Sequence, residues 1–213
     1  MKKCFAVTLL LILLGCGNKT SPSPSVRSEQ QVAEYTDNVY NFAFQYPSDW
    51  KMQKPPPMSE TGGIRVHLKN PSIGNTVMVT ISNLGKSITK DQFNNYPQKD
   101  SIVNLLINFT IEQVYNKTSR DIQATRMVVS EKKIINSEVG IEFYISTLHF
   151  VKVNQKEVPT VVAGIHAIPF DKDYMISFII MSILDPNAKK ENETLTEVFN
   201  SFHLIGEKPA ERK

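Results

Sequence analysis

Four histidines, His67, His149, His166 and His203, are the first side chains of this 213-residue chain that suggest chemistry. Imidazole binds metals and transfers protons near neutral pH. None of the four has a second His or a Cys at metal-ligand spacing, and no His-Glu-x-x-His motif occurs. His149 and His166 lie on two consecutive predicted strands. One hypothesis places them opposite each other across the hairpin, and another places His149 near a carboxylate of a neighbouring strand. The favoured interpretation of all four is a partly buried or surface histidine, with no metal and no cofactor.

Nucleophiles and phosphate-binding loops give no stronger signal. The sequence contains no Gly-x-Ser-x-Gly elbow, no P-loop and no dinucleotide-binding glycine motif. Gly62-Gly63 is interpreted as a turn, and Asp171 and Asp173 as turn carboxylates rather than an acid–base pair. These observations predict that the protein is not an enzyme. A hydrolase with scattered catalytic residues is the remaining enzymatic alternative.

The two cysteines and the charge balance limit the function further. Cys4 and Cys16 both lie in the first sixteen residues, so no disulfide or catalytic thiol is predicted in the folded part. The chain has 24 basic and 21 acidic residues, and removal of Met1–Gly15 with its two lysines leaves an excess of one positive charge. No cluster of Lys and Arg alternates with aromatic residues, which argues against nucleic-acid binding.

The first fifteen residues have the features of a secretory signal. Lys2 and Lys3 precede the apolar run Phe5–Leu14, which is too short for a membrane span of roughly 20 residues. Leu13-Leu14-Gly15-Cys16 resembles the lipobox of bacterial lipoproteins, although a smaller residue is more usual at Leu14. The resemblance implies cleavage after Gly15 and lipidation of Cys16. An ordinary signal peptide with a chance cysteine is the alternative.

Residues 16–36 are predicted to form the lipidated cysteine and a flexible tether. Ser21-Pro-Ser-Pro-Ser25 is small and polar and has no hydrophobic periodicity. Twenty such residues span about 25 Å as a coil. Such a tether would separate a globular domain of residues 37–206 from a lipid surface, and residues 207–213 are predicted to be a frayed tail.

The stretch from Val39 to Trp50 predicts the strand around which the domain is organised. Tyr40, Phe42, Phe44 and Tyr46 recur at every second position, which places four rings on one face of a strand. Pro47 ends the strand because proline has no N–H for a sheet ladder. The following Pro55-Pro56-Pro57 is interpreted as a stiff connector in polyproline II conformation, or as a recognition segment.

The middle of the chain predicts two strands and two helices. Strands are expected over Ile64–Leu68 and Thr76–Leu84, the second with Val77, Val79 and Ile81 on one face. Thr89 and Gln92 have the spacing of a capping box. A longer helix is expected from about Ser101 to Tyr115, capped by Asp100. Its expected apolar stripe, at i, i+3, i+4 and i+7, is Ile102, Leu105, Leu106 and Phe109. Val103, Ile107 and Val114 are expected to widen it.

The last third predicts a meander of four strands between Ala124 and Ile183, followed by a helix. Turn-forming residues lie near Asn136-Ser137, near Asn154-Gln155 and over Asp171–Asp173. The last strand, Tyr174–Ile183, is apolar on both faces, as a central strand covered on both sides would be. Asp185-Pro186 has the pattern of a helix start. The helix it opens carries Leu195, Val198, Phe199 and Phe202 as its apolar stripe.

The order of these elements resembles one known superfamily. Phe42-Ala-Phe44-Gln-Tyr46-Pro47-Ser-Asp-Trp50 is similar to the opening strand of PsbP, Mog and DcrB-like proteins, and Phe199-Asn-Ser201-Phe202 is similar to their ending. The resemblance covers roughly Tyr35 to Ile205. It implies an α+β fold, an α-β-α sandwich with a largely antiparallel sheet flanked by helices. It also implies a mostly non-enzymatic class of protein, and it carries no active-site motif.

Together these features predict a bacterial envelope lipoprotein that is anchored in a membrane through Cys16, with its domain on the extracytoplasmic side. The expected role is non-catalytic protein binding, as an accessory module of an envelope protein partner that the sequence does not identify. The alternative is a carrier or sensor of a small apolar ligand held between sheet and helices. Pro55–Met58 and the loop near Asn154 are the exposed segments where contacts are first expected.

Overall fold

The structure is a computed structural model that describes residues 31–70, 75–135, 137–183 and 189–206. The predicted signal segment, Cys16, most of the tether, the turn residue Asn136, the Asp185-Pro186 helix start and the tail 207–213 lie outside the described residues. The signal peptide and the lipidation therefore stay predictions.

Ten strands and four α-helices follow one another along the described chain. The strands are β1 (Val32–Asp37), β2 (Phe42–Pro47), β3 (Lys51–Gln53), β4 (Gly62–Lys69), β5 (Thr76–Asn83), β6 (Ala124–Ile135), β7 (Gly140–Val153), β8 (Lys156–Pro169), β9 (Tyr174–Ile183) and β10 (His203–Leu204). The helices are α1 (Lys90–Asn95), α2 (Lys99–Thr110), α3 (Asn116–Asp121) and α4 (Lys189–Ser201), with a π-helical turn, Ile111–Tyr115, between α2 and α3. Among the described residues, no helix has the length and apolar character needed to cross a membrane.

A seven-stranded sheet forms the centre of the molecule, in the order β3-β4-β5-β9-β8-β7-β6, and all of its pairs are antiparallel. The predicted four-strand meander is β6 to β9 and is confirmed. The predicted central position of Tyr174–Ile183 is also confirmed, because β9 pairs with β5 on one side and β8 on the other.

One face of this sheet is covered by a three-stranded sheet, β1-β2-β10, and by α4. The aromatic residues of β2 and of the turn after it enter this layer as predicted: Phe42 and Phe44 of β2 are completely buried, and Trp50, in the turn after β2, is 5% exposed. Phe44 contacts Phe178 of β9 at a ring-centroid distance of 5.1 Å. Val32–Thr36, which the sequence assigned to the end of the tether, pair with β2 as part of β1, so the folded domain begins earlier than predicted.

The other face is covered by α2 and the π turn, with Phe93 of α1 packed against the same core. The capping box on α1 is confirmed, since Thr89 Oγ1 accepts from Gln92 N and Gln92 Oε1 accepts from Thr89 N, both at 3.0 Å. The predicted Asp100 cap of α2 is wrong: the N-cap position is Gln98, without a side-chain hydrogen bond.

The predicted stripe of α2 is wrong at its centre, and of its residues only Val103 and Ile107, which were expected to widen it, are buried. Val103, Ile107 and Ile111 face the sheet, whereas Leu105 is 69% exposed and Phe109 46% exposed. The two stripes lie side by side on a helix that is apolar around most of its circumference, so spacing alone did not distinguish them.

The helix predicted to run to Tyr115 is a regular α-helix only to Thr110, and Ile111–Tyr115 form the π turn. A π turn holds more residues than an α turn, so it rotates Tyr115 back toward the sheet. Tyr115 is completely buried there.

Candidate functional site

The buried face beneath α2 contains a polar chain of Tyr115, His166 and Ser177, all three completely buried. The Tyr115 hydroxyl donates to the carbonyl oxygen of Ile145 at 3.0 Å. It lies 2.9 Å from His166 Nε2, and His166 Nδ1 lies 2.9 Å from Ser177 Oγ. Because the phenol proton goes to Ile145, His166 Nε2–H must donate to Tyr115, and Nδ1 must accept from Ser177. The side-chain polar atoms of Tyr115, His166 and Ser177 thereby all have hydrogen-bond partners.

Burial sets the protonation states of His166 and Tyr115, and Gly164 leaves room for their side chains to meet. Burial lowers the pKa of His166 to about 3, so the imidazole is neutral at physiological pH, and burial raises the pKa of Tyr115 well above its usual value. A Cβ at Gly164 would lie 2.7 Å from the Tyr115 hydroxyl oxygen. Gly164 therefore provides the space in which the two rings meet.

His149 belongs to a separate buried polar pair. Thr147 Oγ1 donates to the carbonyl of Val162 at 3.0 Å and lies 2.8 Å from His149 Nε2. His149 is completely buried, its Nδ1 has no hydrogen-bond partner, and burial lowers its pKa. In the sheet register His149 lies opposite Thr160 and His166 opposite Phe143, so the two histidines do not face each other and that prediction is wrong.

These groups do not form an accessible reaction centre. The Ser177–His166 pair has the hydrogen-bond length of a nucleophile and its base, but both side chains are sealed from solvent beneath the helices, where a substrate does not reach them. The arrangement satisfies buried polar atoms and fixes side-chain positions.

The two other histidines lie nearer the surface. His67 is half-buried on β4, and burial followed by the neighbouring Lys69 lowers its pKa. His203 Nδ1 lies 2.9 Å from the carbonyl oxygen of Ser201. Within the part of the chain that the structure describes, no three His, Cys, Asp or Glu residues come together as a metal site.

An open pocket of about 130 Å³ lies at one end of the central sheet, and we refer to it as the groove. The groove is formed where the β1–β2 turn, the segment before β4, the end of β5 and the start of β9 meet. Its described lining residues are Tyr40, Met58, Ser59, Glu60, Gly62, Ile81, Asn83, Asp173 and Tyr174. The groove is a concave surface of the described residues that is open to solvent.

The aromatic wall of the groove consists of Tyr40 and Tyr174. Their rings are perpendicular, with centroids 5.0 Å apart, and the Tyr174 hydroxyl donates to the carbonyl of Tyr40 at 3.3 Å. Asp37 holds the turn that presents Tyr40, since its Oδ1 accepts from the backbone N–H groups of Val39 and Tyr40 at 2.9 and 3.0 Å. The wall is thus positioned by backbone hydrogen bonds as well as by packing.

Asp37 is itself anchored by an ion pair. Arg65 Nε donates to its Oδ2 at 2.6 Å, and the Tyr35 hydroxyl donates to the same oxygen at 3.2 Å. Burial acts to raise the pKa of Asp37, but the hydrogen bonds from Arg65 and the turn backbone outweigh it, so the pKa lies below the usual value. The carboxylate stays charged and its charge is balanced by Arg65.

The opposite rim depends on a tight turn before β4. Ser59 N and Gly62 O, and Gly62 N and Ser59 O, form reciprocal hydrogen bonds of 3.0 Å. Gly62 has a φ of 116°, and a Cβ there would lie 1.9 Å from the carbonyl oxygen of Ile81. The position therefore requires glycine. The turn interpretation holds for Gly62, which closes the turn, whereas Gly63 lies in β4 opposite Ile81.

The exposed segments named from sequence relate to the groove in different ways. Met58, the last residue of Pro55–Met58, lines it. Asn154 is exposed at the β7–β8 hairpin, where its φ is 49°, and is not among the lining residues. The sequence places Tyr40 and Tyr174 in strands and Asp173 in a turn, and nothing in their spacing indicates that the β1–β2 turn and the start of β9 converge.

Comparison with known proteins gives a structural likeness without a sequence match. No protein-family profile and no curated protein sequence matches the chain. The cyanobacterial PsbP protein CyanoP of Synechocystis sp. PCC 6803 has a TM-score of 0.54 at 12% identity, over 86% of this chain and 98% of that chain.

Two further solved structures are more distantly similar. The Ran-binding protein Mog1p of Saccharomyces cerevisiae has a TM-score of 0.49 at 10% identity, over 83% of this chain and 96% of its own. LpqN of Mycobacterium tuberculosis, described as involved in cell envelope biogenesis, has a TM-score of 0.40 at 10% identity, over 82% and 91%.

The likeness to the cyanobacterial protein shows that this chain has a PsbP-like fold. The α+β sandwich predicted from the resemblance is thereby confirmed. At this identity the likeness concerns the fold alone, and a shared fold does not assign a function.

Proposed function

We propose that this protein is a membrane-anchored bacterial envelope lipoprotein whose PsbP-like domain acts as a non-catalytic protein-binding module, with the groove as its contact site. The groove is the observation that carries the proposal. It is open, aromatic and held by backbone hydrogen bonds, which are features of preorganised recognition sites.

Binding is favoured over catalysis by where the polar groups lie. The histidine and serine side chains with catalytic potential are sealed in the core, whereas the groove presents tyrosines, Met58 and two carboxylates. Tyrosine is enriched at protein interfaces because it supplies a large contact area at low entropic cost.

The alternative of an apolar ligand held between sheet and helices has less support. The sequence suggests such a ligand because β9 is apolar on both faces. Those faces pack into two cores: Ile176 and Phe178 on the side of β2, and Met175 and Ile179 on the side of α2, all four at most 2% exposed.

The anchoring half of the proposal rests on the sequence around Cys16. Several acyl chains on one cysteine would give durable attachment, since each buried CH₂ contributes about 0.8 kcal/mol. We expect the full chain to partition into the detergent phase and the membrane pellet, and Cys16→Ala to shift to the aqueous phase. Cys4→Ala, which removes the other cysteine of the same segment, serves as the control. Equal partitioning of wild type and Cys16→Ala would contradict anchoring.

The binding half is tested by a cross-linked pull-down from detergent-solubilised membranes. We expect one defined protein to be enriched with the wild-type chain and much less with Cys16→Ala. The absence of any partner with either form would contradict the binding role.

A further inference from the structure

We infer that the groove binds a lysine or arginine side chain of the partner protein, with the aliphatic stem along Met58 and Ile81 and the cationic head between Glu60 and Asp173. This inference rests on the proposed binding role and adds the chemistry of the partner.

The size and apolar surface of the groove fit one long side chain. Its volume of about 130 Å³ is well below the ~300–1,000 Å³ of pockets that hold drug-sized ligands. Met58 is half-buried and Ile81 is 4% exposed at its base. Lysine and arginine stems bury readily against such surfaces while the charged head stays at the rim.

The charges of the groove select a cation. Glu60 and Asp173 are both exposed at the lining, and none of the described residues that line it is basic. The neighbouring Asp37 carries no unbalanced charge because Arg65 pairs with it at 2.6 Å. The two rim carboxylates therefore leave the groove with a net negative charge, which also steers a basic partner toward it.

The aromatic wall already holds one cation. The guanidinium carbon of Arg65 lies 5.6 Å from the centroid of the Tyr40 ring, within the range of a cation–π contact. Burial is the main cause that raises the pKa of Tyr174, and Tyr40, Asp37 and Asp173 add to it. The same surface suits a second cation on the Tyr174 side.

The test begins with a random peptide library displayed on phage and selected against the full chain. We expect the recovered peptides to carry Lys or Arg at one fixed position. Glu60→Gln/Asp173→Asn should lose this preference, whereas Asp100→Asn/Glu112→Gln, which removes two carboxylates from the α2 side, should keep it. Recovery of peptides without a basic residue, or the same preference on the double groove variant, would overturn the inference.

A selected peptide is then titrated after replacement of its Lys or Arg by norleucine, which keeps the stem and removes the charge. We expect about tenfold weaker binding, as loss of a charge-assisted, cation–π contact predicts. Equal affinity would overturn the basic-residue assignment and leave the binding role intact. Recovery of no peptide at all would overturn both proposals.

Discussion

The two faces of the central sheet bury different kinds of surface. Facing β2, β10 and α4, the sheet packs against aromatic rings, among which Phe44, Phe178 and Phe202 have centroid contacts of 4.8 and 5.1 Å. Facing α2, the same strands bury polar side chains, among them His149, His166 and Ser177, beside aliphatic residues and Phe143. Both faces are stabilised by apolar burial, and the second also depends on hydrogen-bond partners at fixed positions.

The largest predicted effect lies on the aromatic face. Phe44→Ala should lower the free energy of unfolding by about 3–5 kcal/mol, because it removes a completely buried ring and leaves a cavity. Urea denaturation measures this loss. Val39→Ala, at a side chain that is 67% exposed, should change stability by less than about 0.5 kcal/mol. Similar losses for the two variants would contradict the assigned core.

A smaller loss is predicted when the polar face loses one hydroxyl. Tyr115→Phe removes the donor to Ile145 O and the acceptor of His166 Nε2–H, and should cost about 1–3 kcal/mol. Tyr96→Phe, at a ring that is 48% exposed, is the matched control and should be nearly neutral. If neither substitution changes the free energy of unfolding in chemical denaturation, the hydrogen bonds among Tyr115, His166 and Ser177 do not stabilise the fold.

The two faces should also differ in their response to pH. The pKa of His166 is lowered to about 3 by burial, whereas an unfolded histidine titrates near 6.5. Between these values only the unfolded state binds the proton, so stability falls as pH falls, by about 1.4 kcal/mol per pH unit. Unfolding of wild type and His166→Asn from pH 6.5 to 5 should give a steeper slope for wild type. Parallel curves would show that His166 titrates normally.

The smallest predicted effect distinguishes the two stripes of α2. Leu105→Ser should change stability by less than about 0.5 kcal/mol, because this side chain is 69% exposed. Ile107→Ala should cost about 2–5 kcal/mol, because Ile107 is 2% exposed against the sheet. Equal losses in thermal or urea unfolding would mean that the stripe predicted from sequence is buried after all.

The sequence predicted the aromatic face better than the polar one for a physical reason. The aromatic residues of β2 at every second position assign only one buried face, because side chains alternate between the two faces of a strand. Helix α2 offers two apolar stripes, and the choice between them depends on the π turn that carries Tyr115. No local spacing signals that turn, since it accompanies contacts with His166 and Ile145 that lie far along the chain.

The groove was missed for a related reason. Tyr40, Glu60 and Tyr174 come from segments that are distant in sequence, and each has an ordinary local role in a strand or a turn. Their convergence is a property of the sheet order, in which β5 pairs with β9. Of the expected contact segments, only Pro55–Met58 reaches it, through Met58.

Site-specific photo-cross-linking in membranes tests the central claim, that the groove is where the protein meets its partner. A photoreactive residue would replace Val39, which is 67% exposed beside Tyr40, or Leu105, which is 69% exposed on α2, so that the groove lining stays intact in both variants. We predict one defined cross-linked protein from position 39 and none from position 105, with loss of the product in Glu60→Gln/Asp173→Asn. A cross-link to one protein from position 105 alone would contradict the account and assign binding to the exposed stripe of α2.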